Sequence, residues 1–337
     1  MKLDDLSVVI IGRNEELHIE KCLQSVLRGT EAFDAPEIIY VDSASTDRTV
    51  QKAKQYPIKI IQLRPEWKLS APAGRYIGYH HTSGRYIFFI DGDTILYKNW
   101  LNKAVSFISE HPDIAGVAGV VHEVFTDSEG NILGNCKNRY LQQNKVSEAR
   151  TFGGIALYRR SVLEEVGSFN PHIADEEREL GLRIRKAGYK IVRIYSPMAI
   201  TYAYPRETVS EILRRAHSGF YSFGATLRYC LKNGLFWQYL TERLSFIFTF
   251  IFGVLVSTGI LILFILSNNL KILISLCIGI AIILFSLKRK DIRGMFISLF
   301  KRVLILYKTI QTFFTTIPRP PESYPMDVIV IKDQEQG

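Results

Sequence analysis

Gly84-Arg85-Tyr86-Ile87-Phe88-Phe89-Ile90-Asp91-Gly92-Asp93 is an apolar run that ends in two carboxylates one residue apart. A short uncharged run of this kind reads as a strand buried on both faces, and the acids mark where it breaks out of its sheet. Gly92 is expected to let the backbone turn so that both acids can face one cation that also holds a diphosphate. An Asp-Gly pair is also a common turn.

The same signal recurs on either side. Leu6 to Ile11 is apolar, stops at Gly12, and is followed by Asn14, Glu15 and a helical pattern through Ile19, Cys22, Leu23 and Val26. Ile38 to Val41 is a second strand, closed by a turn at Asp42, Ser43 and Ser45 before a helical pattern from Thr49 to Tyr56. Ile58 to Leu63 is a third strand, Ala71 to His81 a helix, and Tyr86 to Ile90 the fourth strand. Strands alternating with helices predict an α/β domain with a mostly parallel sheet. Ligands of such sheets bind at the carboxyl ends of the strands, so Asn14, Asp42 and Asp91 are expected to converge. Helices are further predicted over Trp100 to His111 and Asp175 to Ala187, with a Gly-Gly segment at Thr151 to Arg159, and this half is expected to lie over the strand ends.

Three of these stretches, Ser7 to Glu16, Glu37 to Asp47 and Gly84 to Asp93, together resemble the successive motifs of family 2 glycosyltransferases with the GT-A fold, in order and spacing, from about Leu6 to Arg185. The resemblance implies a nucleotide diphosphate sugar as donor and a divalent metal, Mg²⁺ or Mn²⁺. Asn14, Glu15 and Asp42 would line the nucleoside pocket. Arg75 would reach the diphosphate, Asp91 and Gly92 would sit beside the ribose and metal, and Asp93 would be the main metal ligand with Asp91. Capping and turn roles remain open for Asn14 and Asp42, and a solvated helix face for Arg75.

Asp175-Glu176-Glu177-Arg178-Glu179-Leu180-Gly181-Leu182-Arg183 resembles the family's acidic segment that carries the catalytic base. Direct transfer with inversion needs one carboxylate near the acceptor oxygen and no enzyme nucleophile. Aligned on Leu180 and Arg183, Glu177 takes the base position in place of the usual Asp; Glu176 or Asp175 could serve instead. Gly153 and Gly154 resemble the acceptor-side loop, or form a plain tight turn. The chain departs from the family pattern in having Ile11 and Gly12 in place of Pro and Thr, and Ser43 after Asp42. The Gln-x-x-Arg-Trp signature of processive synthases is absent; the corresponding region reads Ile212 to Gly219, which favours single-sugar transfer, with Arg214 and Arg215 able to meet a pyrophosphate or lipid phosphate.

The chain has 337 residues and a net charge of +9. Its basic residues lie near apolar segments, which points to membrane lipids and against nucleic acid. Cys22, Cys136, Cys230 and Cys277 lack disulfide or metal spacing and fit a reducing cytosol, and Met1 to Ser7 is not a signal peptide. Phe246 to Leu266 carries no charge over a bilayer's helical span, and Ile272 to Leu287 is a shorter second span. Lys288, Arg289, Lys290 and Arg293 orient this hairpin with the catalytic domain on the cytosolic face. Met295 to Ile317 is apolar but holds Lys301, Arg302 and Lys308; a cation at the bilayer centre costs about 2.5 to 3.5 kcal/mol, so a helix lying in the interface is preferred over a third span.

The expected organisation is a GT-A domain over 1–207, an interfacial segment over 208–245, a transmembrane hairpin over 246–287, an interfacial helix over 288–317 and a polar cytosolic tail over 318–337. The acceptor implied is a polyprenyl phosphate or lipid-linked glycan. A soluble or surface-polysaccharide acceptor is the enzymatic alternative, and a catalytically silent membrane scaffold the non-enzymatic one.

Overall fold

The computed structural model describes residues 5–127, 129–139, 145–203, 208–267, 274–275, 278–279 and 292–334. The chain divides into two units, Met1–Pro205 with Arg319–Gly337, and Arg206–Pro318.

In the first unit four strands form the parallel centre of the sheet in the order β3 (Lys59–Gln62), β2 (Glu37–Asp42), β1 (Leu6–Gly12) and β4 (Tyr86–Asp91). Their apolar side chains are buried on both faces, which explains the continuous rather than alternating runs. Register pairs Gly12 with Asp42 and Ile11 with Asp91, so the carboxyl ends of β1, β2 and β4 are level. The strand order reverses between β1 and β4, and there the connecting helices diverge to open a crevice.

Helices α1 (Ile19–Thr30), α2 (Thr49–Ala53), α3 (Ala71–His80) and α4 (Trp100–Glu110) follow the sequence patterns closely. The Ser70 hydroxyl caps α3 by accepting from the Ala73 amide at 3.3 Å. Gly78 lets α3 press onto β1: a Cβ there would lie 2.2 Å from a Val9 methyl carbon. That close approach carries Arg75, one turn earlier, against the strand ends.

Beyond β4 the expectation of a mostly parallel sheet is corrected. β9 (Ala156–Arg159) runs antiparallel to β4 and to β6 (Ile114–Thr126). β10 (Lys190–Ala203) is parallel to β6 and takes β5 (Thr94–Leu96) and β8 (Val146–Glu148) antiparallel, while β7 (Ile132–Arg139) pairs antiparallel with β6. The sheet is mixed because β9 enters from the Gly153-Gly154 loop above the strand ends and runs back beside β4. Helices α5 (Arg160–Val166) and α6 (Glu176–Lys186) follow it.

The polar tail expected over 318–337 is also corrected. A short 3₁₀ turn, Pro321–Ser323, leads to β11 (Ile329–Lys332), which pairs antiparallel with β3 as an edge strand of the same sheet. Tyr324 is buried, donates its hydroxyl to the Lys68 carbonyl at 2.9 Å, and packs edge-on to Trp67. Arg64 and Asp327 pair at 2.6 Å. Burying these apolar groups against β3 and α3 outweighs the polar composition that suggested a free end. Tyr324→Phe, which deletes one buried hydrogen bond without changing the packing, is expected to cost about 0.5 to 1.5 kcal/mol in urea unfolding.

In the second unit α7 (Val209–His217), α8 (Phe223–Lys232) and α9 (Phe236–Arg243) precede α10 (Phe246–Ser267), and α11 (Ile292–Thr315) packs on α8. Gly224 allows this packing, since a Cβ there would meet the Thr309 carbonyl. The Arg228 guanidinium donates to the carbonyls of Phe313 and Thr316 at the end of α11. Among the described residues one helix is long and apolar enough to cross a membrane, Phe246–Leu263, with mean hydropathy 2.6. Most of the second span expected over Ile272 to Leu287 lies outside the described residues.

Candidate active site

A cleft of about 340 Å³ opens at the β1/β4 switch, lined on one side by Gly12, Arg13 and Glu15, on the other by Asp91, Gly92 and Asp93, and closed by Ser43, Ser70 and Arg75. Sequence reasoning named Glu15, Arg75, Asp91, Gly92 and Asp93. It missed Arg13, Ser43 and Ser70 as cleft residues, although Ser70 directly before the Ala71 helix start is a visible capping signal.

Asn14 and Asp42 lie beside the cleft but are engaged with neighbouring chain. The Asp42 carboxylate is fully buried and accepts from the Tyr40 hydroxyl, the Ser45 amide and hydroxyl, and the Gln62 amide. The Asn14 side-chain oxygen accepts from the Thr46 amide at 2.8 Å, and the Glu15 amide donates to the Thr49 hydroxyl at 2.8 Å. These bonds lace the loop after β1 to the loop after β2. Asn14 and Ala44 both hold positive φ in doing so, a local cost that the lacing supports.

Gly92 lies in the turn expected directly after β4. Its φ is not in the left-handed region; instead its amide donates to the Ile11 carbonyl at 2.8 Å, and a Cβ would lie 3.2 Å from the Glu15 side chain. Close approach of the β4 exit to the β1 exit leaves little room for a side chain there.

Arg75 is buried and binds three carboxylates: Asp91 at 2.9 Å, Glu176 at 2.7 Å and Glu177 at 3.3 Å. These charges hold its guanidinium protonated, and its fork ties the end of β4 to the start of α6. Burial pushes the Glu176 and Glu177 carboxyls above the ordinary range, while Arg75 opposes the rise. Of the pair, Glu177 has the more open side chain, 18% against 8% exposed. Asp175 turns away in a left-handed backbone conformation and pairs with Arg178 at 3.2 Å.

Gly153 and Gly154 both hold positive φ. A Cβ on Gly154 would lie 2.9 Å from an Arg75 nitrogen, 2.9 Å from an Asp91 oxygen and 3.4 Å from a Glu177 oxygen. The glycine therefore leaves space above all three groups. Arg214 and Arg215 belong to the second unit, where both pair with Glu211 at 2.7 Å.

Residues 7–167 match the family model Glycosyl transferase family 2. Family model and relatives together support a family 2 glycosyltransferase domain of the GT-A fold. The Haloferax volcanii protein named Glycosyltransferase AglE is 28% identical over 221 residues, covering 62% of this chain and 70% of that protein. A Methanococcus voltae protein named dolichyl N-acetyl-alpha-D-glucosaminyl phosphate 3-beta-D-2,3-diacetamido-2,3-dideoxy-beta-D-glucuronosyltransferase is 22% identical over 310 residues, covering 83% of this chain and 92% of that one. The fold is shared with the Pyrobaculum calidifontis mannosyltransferase PcManGT, solved with GDP-Man and Mn²⁺, at a TM-score of 0.60 and 15% identity over 93% of this chain and 88% of that one.

The donor set of the cleft fits a hard divalent cation. Among the described residues no three His, Cys, Asp or Glu side chains form a cage. Such ions, however, commonly take one or two carboxylates and complete their shell with substrate phosphate and water. The Glu15 carboxyl is pushed up to about 8, first by burial and then by the negative charges of Asp93 and Asp91.

Two consequences are measurable. A carboxyl raised in the folded state from 4.5 to about 8 contributes stability that is complete below pH 4.5 and lost as pH rises through 8. Metal-free Tm is therefore expected to fall between about pH 5 and about pH 8, and Glu15→Gln to reduce that slope in calorimetry. Gly154→Ala forces a side chain onto a positive φ and onto Arg75 and Asp91. It is expected to cost about 1 to 3 kcal/mol of stability and to lower kcat/KM at least about tenfold.

Proposed function

We propose that the protein is an inverting glycosyltransferase that moves one sugar from a nucleotide diphosphate sugar to a phosphate-bearing or glycan-bearing lipid at a membrane surface. The observation that carries this reading is the meeting, across one guanidinium, of the cleft acid Asp91 with the acidic start of α6.

The cleft would take the donor diphosphate, and Asp93 and Asp91 would hold a divalent cation, Mg²⁺ or Mn²⁺, which would neutralise the charge growing on the leaving group. Ser70 and the amino end of α3 face the same space and suit phosphate oxygens, and Arg13 supplies a cation at the cleft. Arg75 acts through Asp91 and Glu177 as a positioning residue, since its fork is filled by carboxylates. Glu177 accepts or orients the acceptor proton as the acceptor oxygen attacks the anomeric carbon, and the nucleoside diphosphate leaves from the opposite face. Gly153 and Gly154 keep the acceptor's approach open.

The lipid acceptor is supported by α10, by the basic residues before it and by the dolichyl-linked name of one relative. Arg243 and the cations of α7 and α8 precede α10, and on the positive-inside pattern they support a catalytic domain on the cytosolic face.

Purified protein with Mg²⁺ or Mn²⁺ and a panel of nucleotide sugars should release nucleoside diphosphate faster when lipid extract is added. Equal release with lipid extract and with soluble glycans would remove the lipid acceptor, and equal release by wild type and Asp93→Ala would remove the mechanism.

A further inference from the structure

The last stretch of the chain does more than cover the open edge of β3. The buried Tyr324 ring packs against three rings from pieces of chain that lead into the cleft: Trp67, just before α3, at 5.7 Å between ring centres, Tyr76 on α3 at 6.3 Å, and His172, just before α6, at 5.7 Å. Its hydroxyl donates to the Lys68 carbonyl at 2.9 Å. The Ser323 hydroxyl gives its one proton to the Pro320 carbonyl at 2.7 Å, so His172 Nε2–H is the donor in the 3.0 Å bond to Ser323 Oγ. The Lys68 ammonium in turn donates to the His172 carbonyl at 2.6 Å.

Two loops are joined in this way. Residues 64–70 end in Leu69 and Ser70, which line the cleft, and continue into α3 with Arg75. Residues 170–175 run into Glu176 and Glu177. The two pieces are therefore linked twice, by the Arg75 fork and by the cluster around Tyr324. The Lys68 bond is exposed to solvent and by itself holds little. A buried tyrosine ring supplies the packing that fixes it. Covering a sheet edge does not call for these contacts. β11 pairs with β3, and the Lys332 ammonium docks the far end of the segment near α2, on the carbonyls of Lys54 and Tyr56 at 3.2 and 3.0 Å.

We propose that Tyr324, with Ser323 and His172, is a positioning residue of the transfer site: it clamps the loop of the donor cleft to the loop that leads into the catalytic carboxylate, and so sets the distance from bound donor to Glu177. This rests on the transfer reading and deepens it with a residue outside the span 7–167 that the family model matches. A misplacement of about 1 Å between reacting groups costs about a hundredfold in rate, so a clamp remote from the reacting atoms has a kinetic effect.

Full-length protein with Mn²⁺, a panel of nucleotide sugars and lipid extract reads the effect as nucleoside diphosphate release. Tyr324→Leu, which removes ring packing and hydroxyl, is expected to slow release about tenfold or more. Tyr324→Phe keeps the ring and should stay within about threefold of wild type. Lys332→Ala loosens the far end of the same segment, and should lower Tm while leaving the rate within about threefold. His172→Ala should slow release about threefold or more with the donor dissociation constant within about twofold, and it decides the matter if Tyr324→Leu does not fold. Hydrogen exchange on the unliganded protein reads the clamp without catalysis: in the Tyr324 and His172 variants, residues 64–70 and 170–175 should exchange faster together, with β1 and β2 unchanged. Faster exchange in one loop alone, equal slowing by Lys332→Ala and Tyr324→Leu, or wild-type rates in folded Tyr324→Leu and His172→Ala overturns the proposal. A wild type that releases no nucleoside diphosphate, while its two loops still exchange together, would instead overturn the transfer reading on which the positioning role rests.

Discussion

Glu177→Gln is expected to lower kcat by a factor of about 10² to 10⁴ while leaving the donor dissociation constant within about twofold. The amide keeps the size and the contact to Arg75 but cannot take a proton. Glu176→Gln should be milder, because Glu176 lies deeper and its contact to Arg75 is shorter, 2.7 Å against 3.3 Å. Since burial raises the Glu177 carboxyl, kcat/KM should increase with pH across that raised range, and the Gln variant should lose this limb. Single-turnover rates of the two variants decide the assignment: a severe loss in Glu176→Gln with a mild one in Glu177→Gln would move the base to Glu176.

Arg75→Leu is expected to destabilise the protein by about 3 to 5 kcal/mol, as removal of one partner leaves uncompensated charge in a buried cluster. Three carboxylates face that guanidinium, so the loss should be partly recovered at lower pH, where they protonate. The Arg75→Lys variant should regain little of the lost stability, since a point charge cannot bridge three carboxylates with the fork geometry of guanidinium. Urea unfolding at two pH values measures both effects; a loss below about 1 kcal/mol would show that the cluster does not depend on Arg75.

The parallel half of the sheet was legible because its strands are buried on both faces, so the apolar runs Leu6 to Ile11, Ile38 to Val41 and Tyr86 to Ile90 carry almost no competing signal. Strand ends followed by Asp or Asn then indicated where the cleft opens. Direction was not legible beyond Asp91, since Ala156–Arg159 has the same apolar character whether it runs parallel or antiparallel. The partners of a side chain were also hidden. Arg75 reads locally as a helix-surface cation, and only the close packing permitted by Gly78 buries it among acids from residues 91 to 177. Asp42 stands at the expected strand end, yet four local donors occupy it, and those donors come from positions 40, 45 and 62.

The end of the chain was misread for a different reason. Val328-Ile329-Val330-Ile331 is a β-branched run with strong strand character, but the surrounding Pro, Asp, Lys and Gln residues dominate its composition. An edge strand needs only one neighbour, and β3 had one edge open.

In the proposed mechanism, acids from separate stretches hold a cation together with the donor in the β1/β4 cleft. Calorimetric titration of a nucleotide diphosphate sugar into full-length protein, with Mn²⁺ and with a chelator, tests it most directly. Wild-type affinity should weaken at least about tenfold when the metal is removed, and Asp93→Asn should bind weakly in both conditions. Equal affinities with and without metal, unchanged in Asp93→Asn, would contradict the account.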